Sequence, residues 1–354
     1  MLNTSTLSSV YFTNNHNDIL LNLVNQKHYD TVFILADENT TRLCLPLFEA
    51  SILQNSHLIS IKSGESEKNL RTLEYIWTNF INNKASRKSV LINCGGGVIG
   101  DMGGLAASLF KRGIDFINIP TTLLAQVDAS VGGKLAIDFS GLKNEIGIFK
   151  SPNAVIINAQ FLNTLPKREI ISGFAEMLKH GLIYNKQLFN ELLNLDIKTM
   201  HDYTLLQNYI KQSVTIKAHF VDTDPTEKNI RKALNFGHTI GHAIESLLLE
   251  TQTPLLHGEA ILIGFICETY LATHQCNFNR QEFTQITAQL KPYLPKITIN
   301  TEWYNQIWEL MQHDKKNENQ KINFTLLSEP GKYLINCEAN KQLVFESINY
   351  FNAI

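Results

Sequence analysis

The stretch Val90-Leu91-Ile92-Asn93-Cys94-Gly95-Gly96-Gly97-Val98-Ile99-Gly100-Asp101 reads as a short apolar strand running through three glycines into a helix. An apolar run of this length bounded by glycine suits a parallel strand buried on both faces. The glycines leave backbone amides bare at a helix N-terminus, where a diphosphate can bind. They serve a plain tight turn equally well, since only glycine tolerates such angles and close approaches, and they depart from the dinucleotide fingerprint G-x-G-x-x-G. The neighbouring segments carry the reading further. Runs rich in β-branched residues recur at 31–36, 58–61, 90–94, 116–119 and 155–157, alternating with helical patterns, which predicts a parallel α/β sheet.

Two further loops follow predicted strands. Ser63-Gly64-Glu65-Ser66-Glu67-Lys68 is one, and Asp37-Glu38-Asn39 is the other, with an acid placed to hold ribose hydroxyls. Three loops at strand ends converge on one crevice, the usual ligand position in open α/β sheets. After Pro166 helical periodicity dominates, over 168–184, 204–221, 228–249, 258–273 and 302–311. The exception is 322–327 and 333–335, joined by Ser328-Glu329-Pro330-Gly331, which reads as a small hairpin. The expected division is an α/β nucleotide-binding domain over 1–165 and, over 166–354, a helical metal- and substrate-binding domain, all-α apart from that hairpin.

The helical half holds Asn235-Phe236-Gly237-His238-Thr239-Ile240-Gly241-His242 and, beyond a short break, His257-Gly258-Glu259. His238 and His242 stand at i and i+4, so on one helix both project from the same face. His257 opens the next helical run and closes the site across a turn. A divalent ion held by imidazoles calls for a carboxylate and an open position, and Glu176 fits. It lies in Ile171-Ser172-Gly173-Phe174-Ala175-Glu176-Met177-Leu178-Lys179-His180-Gly181, sharing a face with Lys179. Singly, each of these residues reads as a solvated pair or an ordinary helix residue; together they read as a metal site.

The chain has 354 residues, 44% of them hydrophobic, and a formal net charge of -2. That length suits two domains, and the charge argues against a nucleic-acid partner. Cys44, Cys94, Cys267, Cys276 and Cys337 are odd in number and scattered, which fits neither a disulfide framework nor a zinc ribbon. The opening Met1-Leu2-Asn3-Thr4-Ser5-Thr6 lacks a basic and an apolar targeting region, and no apolar run approaches the ~20 residues of a membrane helix. A soluble cytoplasmic protein acting on small molecules is expected.

The stretch from Pro120 through Thr121, Thr122, Gln126 and Asp128 to Gly132-Gly133-Lys134 is too polar for a buried strand and too glycine-rich for a stable helix, so it reads as a binding loop. Lys111-Arg112 and Lys143-Asn144 add cations, as do Lys179, Lys217, Arg231, Lys315 and Lys316. Each alone is an ordinary solvated side chain. Their number exceeds what a dinucleotide requires and suggests an anionic substrate.

On 95–101, 120–134, 172–179, 231–242 and 257–259, in order and in spacing, the chain resembles the 3-dehydroquinate synthases of the sugar phosphate cyclase group, from residue 37 to residue 316. The resemblance implies an NAD-binding α/β domain, a helical metal domain, a homodimer and an active site in the cleft between domains. It implies zinc, or cobalt in its place, on Glu176, His238 and His257. His242, a ligand by the i, i+4 argument, falls instead to the substrate or its ordered water, and the resemblance is preferred here.

NAD would be held by Asp37, Asn39, Ser63, Gly64, Glu65, Ser66, Glu67, Lys68, Gly97, Val98, Ile99, Gly100, Asp101, Thr121, Thr122, Lys134, Lys143, Phe161, Leu162, Asn163 and Thr164. The substrate's phosphate end would fall to Lys134, Asn144 and Arg112, the last from the other subunit. Its carboxylate and hydroxyls would meet Asp128, Lys179, Lys217, Arg231, Asn235, His242 and Lys315 or Lys316.

The implied reaction converts 3-deoxy-D-arabino-heptulosonate 7-phosphate to 3-dehydroquinate. Carbon C5 gives its hydride to NAD while its hydroxyl loses a proton and becomes a ketone, phosphate then leaves with the C6 proton taken by the substrate's own phosphate, and the hydride returns to C5. Ring opening and an aldol closure follow. The chain departs from the family's Leu-Gly-Lys-Asn, reading Gly141-Leu142-Lys143-Asn144 with the glycine displaced by one. Arg231 with Asn235 favours a carboxylate substrate over that of a 2-deoxy-scyllo-inosose synthase. Lys134 with Asn144 speaks against a glycerol-dehydrogenase-like enzyme, and the intact metal set with Lys179 against an inactive nucleotide-binding module.

Overall fold

The computed structural model describes residues 5–140, 142–249, 251–312 and 322–354. Its contacts divide the chain into two units. The first comprises the chain through Pro166 together with Met200–Ala218, and the second comprises Lys167–Thr199 and His219–Ile354.

The first unit is built on six parallel strands in the order β1-β8-β5-β4-β2-β3: β1 (Val10–Phe12), β2 (Val32–Asp37), β3 (Ser56–Ile61), β4 (Val90–Gly95), β5 (Asp115–Pro120) and β8 (Ala154–Ile157). Both faces are covered, which is why these strands read as continuous apolar runs. Along β2, Phe33 and Leu35 enter one core with Leu73, Ile76 and Phe80 of the helix Leu70–Asn82, while Ile34 and Ala36 enter the other with Leu20 and Phe161. The chain lays β3 on one side of β2 and β4 on the other, so the winding reverses between the carboxyl ends of β2 and β4.

Each of the five expected strands is present within two residues of its expected ends. The edge strand β1 and the antiparallel pair β6 (Lys134–Phe139) and β7 (Leu142–Phe149) were not expected. Met200–Ala218 joins the unit through Gln207, whose amide donates to the Ile157 carbonyl at 3.1 Å and accepts the Ala159 N–H at 2.8 Å.

The expectation of a polar loop over 120–134 is corrected. Ala125–Ala129 form a turn of π-helix, and Leu123, Ala125, Gln126 and Val127 are buried. The Gln126 amide donates to the carbonyls of Pro120 (3.1 Å) and Asn158 (3.0 Å), which is how a polar side chain is accommodated in the core.

In the second unit the helix Lys167–Tyr184 packs against His257–Gln275, which also contacts His238–Leu248 and the C-terminal helix Lys341–Ala353. The expected hairpin is present as β9 (Phe324–Glu329) and β10 (Lys332–Cys337), turning at Pro330-Gly331, so this unit is helical but not all-α. The single helix expected over 228–249 is broken: Ile230–Asn235 is a 3-10 turn, and Gly237 adopts φ +79° before a new helix starts at His238. A side chain at Gly237 would also meet the Phe265 ring at 2.4 Å. Among the described residues no helix is long and apolar enough to cross a membrane.

Candidate active site

The break at Gly237 sets His238 at the first position of its helix, as Leu256 sets His257 at the first position of the next. A buried acid secures the break. Glu268 accepts the N–H groups of Gly237 (2.6 Å), Thr239 (3.0 Å) and Ile240 (3.1 Å), so a carboxylate from one helix caps the other where the helix dipole favours negative charge.

The imidazoles of His238, His242 and His257 converge, each offering a nitrogen within 4.8 Å of the others'. Glu176, fully buried in the helix Lys167–Tyr184, places Oε1 3.5 Å from Nε2 of both His238 and His257. Its Oε2 makes an ion pair with Lys179, one turn on and itself 1% exposed. Two nitrogens and a carboxylate oxygen facing one point form a donor set suited to zinc or a similar divalent ion, so these residues fit the group. Behind the rings, His238 Nδ1 faces the Phe236 carbonyl at 3.0 Å and His257 Nδ1 faces Glu245 at 3.2 Å. Burial opposes a charge on His257, but hydrogen bonds to Glu176 and Glu245 outweigh it and lift its pKa to about 10.

Arg231 and Asn235 lie on the 3-10 turn before Gly237. Arg231 is buried, its guanidinium donating to the Pro225 carbonyl at 2.9 Å, and the Asn235 amide donates to Glu227 at 2.9 Å. Asp224 organises the approach, accepting the N–H groups of Lys228 (3.1 Å), Asn229 (2.6 Å) and Arg231 (3.2 Å). Burial works against its charge, but those three donors together hold its pKa below the usual 3.8.

A depressed carboxylate pKa stabilises the fold above 3.8 and is lost as pH falls through the lowered value. Asp224→Ala should therefore lower stability at pH 7 by about 1–3 kcal/mol, the cost of losing the acceptor of one buried and two part-buried N–H groups. The deficit should shrink on acidification below pH 3.8, which thermal melts across pH will show.

In the first unit the expected cofactor residues gather at the carboxyl ends of the strands. Gly96 opens the helix Gly97–Leu109 with no side-chain cap, leaving Gly97 to Gly100 in its first turn. Thr121 donates its N–H to the Gly95 carbonyl at 3.0 Å, and a side chain on Gly96 would stand 3.1 Å from Thr122 Cγ2. An uncapped N-terminus with bare glycine beside it suits a diphosphate.

Asp37 ends β2 and caps the next helix through Thr40 N–H (2.8 Å), with Asn39 exposed on that helix. Ser63 donates to Glu38 at 3.0 Å, Gly64 has φ +112°, and Glu65, Ser66 and Glu67 form a 3-10 turn. Lys68 is buried between Asp101 (2.6 Å) and the side-chain Oδ1 of Asn144 (2.6 Å). Burial opposes the Lys68 charge, yet Asp101 and Glu65 outweigh it and raise its pKa.

Lys217 likewise places Nζ 2.6 Å from both the side chain and the carbonyl of Asp128. Phe161 and Leu162 are core residues that leave only backbone for a ligand, Asn163 accepts the Tyr203 N–H at 2.9 Å, and Thr164 is exposed. Arg112, with φ +70°, and Lys134 are exposed, and Lys143 is half-buried on β7. Lys315 and Lys316 lie outside the described residues.

Reading the sequence missed Glu245, Glu268, Asp224 and Glu227. Glu245 had a signal, lying two helical turns beyond His238 on the same face, and Glu268 had another as an acid inside an otherwise apolar helix.

A parallel sheet with a glycine-opened helix at its switch point, and a helical unit carrying a carboxylate-imidazole cluster, define the fold of the sugar phosphate cyclases. The structure of 2-deoxy-scyllo-inosose synthase complexed with carbaglucose-6-phosphate, NAD+ and Co2+ has this fold with a TM-score of 0.82, at 24% identity over 96% of each chain. The 2-epi-5-epi-valiolone synthase of Streptomyces hygroscopicus, with NAD+ and Zn2+ bound, also reaches 0.82, at 22% identity over 97% of this chain and 96% of its own. The family descriptions "3-dehydroquinate synthase N-terminal" and "3-dehydroquinate synthase C-terminal" match residues 58–172 and 173–317. The 3-dehydroquinate synthase of Parabacteroides distasonis is 46% identical over 324 residues, 91% of this chain and 92% of its own length. The chain belongs to the 3-dehydroquinate synthase family.

Proposed function

We propose that this protein converts 3-deoxy-D-arabino-heptulosonate 7-phosphate to 3-dehydroquinate and phosphate, as an NAD- and metal-dependent carbon-oxygen lyase of the cytoplasm. The observation that carries the reading is the position of Glu176 Oε1, equidistant from His238 and His257, in a chain of this family. Glu176, His238 and His257 would hold zinc, or cobalt in its place. Gly97 to Asp101, Thr121, Thr122 and the loops at Asp37 and Gly64 would hold NAD. When bound, the two supply Lewis acidity at the reacting alcohol and a reversible hydride acceptor.

The chain's own groups bind and orient. Arg231 and Asn235 take the substrate's carboxylate; the Arg231 backbone is fixed by its N–H bond to Asp224 and its guanidinium is turned by its bond to the Pro225 carbonyl. Lys179 offsets the charge of Glu176 and donates to a substrate hydroxyl. Asp128, held by Lys217, and His242 position the hydroxyls, while Lys134, Asn144 and a partner copy's arginine at position 112 take the phosphate. A homodimer also accounts for Phe139, Leu142, Ile146 and Phe149, large apolar side chains exposed by 46 to 66% along β6 and β7.

The test is phosphate release from the purified, zinc- and NAD-loaded protein. Equal phosphate and dehydroquinate, without accumulated NADH, is the expected result. Folded, loaded protein that yields neither product overturns the assignment, and turnover of glucose 6-phosphate in its place would move the chain to the inosose-forming cyclases.

A further inference from the structure

We infer that Glu245 is a positioning residue of the metal centre, fixing the ring of His257 so that Nε2 is the nitrogen presented to the ion. The inference rests on the metal reading above and adds to it a residue outside the ligand set. Glu245 Oε2 stands 3.2 Å from His257 Nδ1, and on the far side of the same ring Nε2 stands 3.5 Å from Glu176 Oε1. With Nε2 given to the ion the ring would keep a single proton, on Nδ1, and Glu245, a carboxylate that only accepts hydrogen bonds, stands where that proton points.

His238 reaches the same tautomer by another route, its Nδ1 facing the backbone carbonyl of Phe236 at 3.0 Å. The two devices differ in what they contribute. The Phe236 carbonyl is fixed by the turn and carries no formal charge. Glu245 adds a negative charge that makes the imidazole a stronger donor to a cation, in the manner of carboxylate-histidine-metal triads.

The placement has a second consequence. Glu245 lies on the helix His238–Leu248, two turns beyond His238, while His257 starts the next helix. One rigid element therefore both carries one imidazole and aims the other, setting the separation of the two nitrogens that flank Glu176. The Glu245 side chain is 13% exposed and that of His257 26%, so the contact is largely sheltered from water.

The experiment is zinc affinity of the full-length protein by chelator competition, with metal-free melting temperature as the fold control and the visible spectrum of the cobalt(II)-loaded protein as a probe of geometry. Glu245→Ala should bind zinc about 10–100-fold more weakly and shift the cobalt spectrum. Glu245→Gln, which keeps an acceptor without the charge, should fall between it and the wild type. A purely structural role would lower the metal-free melting temperature and leave the affinity of the folded protein unchanged. Zinc binding by folded Glu245→Ala within twofold of the wild type overturns the inference; should that variant not fold, Glu245→Gln within twofold overturns it instead. Failure of the underlying metal reading shows separately, as wild-type zinc affinity in His257→Ala.

Discussion

His257→Ala should lose tight zinc retention and, with it, turnover, whereas His242→Ala should keep the metal and lose turnover alone. His257 Nε2 shares Glu176 Oε1 with His238 Nε2, at 3.5 Å in each case, and removing it leaves two protein donors where a zinc ion held for chemistry uses three. Loss of a direct ligand should exceed the ~10–100-fold in affinity that outer-shell changes produce. Lewis-acid stabilisation of several kcal/mol corresponds to about three or more decades in kcat.

His242 is the informative contrast. Its nitrogen also converges with those of His238 and His257, and its i, i+4 spacing from His238 makes it a ligand on helical geometry alone. Zinc content after dialysis, measured beside activity, separates the readings. A zinc-replete, active His257→Ala sinks the ligand assignment, and a zinc-free His242→Ala restores the helical-spacing one.

The parallel sheet was legible because both its faces are buried, so β2, β4 and β5 appear as β-branched apolar runs, interrupted inside β4 and β5 by Asn93 and Asn118, whose side chains bond to each other at 2.9 Å. The short edge strand β1 has only three half-buried residues and leaves no such trace. Periodicity also misled where the chain changes direction without changing pattern. The helical spacing continues smoothly through 228–249, and only the single glycine at 237, in a left-handed conformation, ends one turn and starts another.

Gln126 misled in the opposite sense, since its polarity suggested a loop although two carbonyls accommodate it in the core. The histidines and Glu176 stood out because three imidazoles and a carboxylate fall at helical spacings beside small residues. Glu245 did not, because an acid on an amphipathic helix reads as solvated until the neighbouring helix is seen to face it.

Gly258→Ala should be as damaging to zinc binding as loss of a ligand, although the residue offers no donor. A Cβ at Gly258 would stand 2.0 Å from the Ser172 carbonyl oxygen and 2.5 Å from its Cα, and both are backbone atoms that cannot swing aside. Ordinary contact requires a separation of about 3.5 Å, so the two helices must part by more than about 1 Å. The Gly258 N–H to Ser172 Oγ bond, 3.0 Å long and buried, would be strained or broken by the same movement.

The parting falls where it matters. Gly258 follows His257 directly, and Ser172 lies one turn before Glu176 on the helix Lys167–Tyr184, so the displacement separates a carboxylate from an imidazole meant to meet one ion. Metal sites tolerate deviations of about 0.2 Å in ligand distance. Overpacking of this kind costs about 1–3 kcal/mol in stability, and zinc affinity should fall by about 100-fold or more, beyond the effect of an outer-shell change. Melting of the metal-free protein and zinc titration of the same sample distinguish the two effects. A variant that melts lower yet binds zinc as tightly as the wild type would show that the helix crossing contributes to the fold but does not set the geometry of the metal centre.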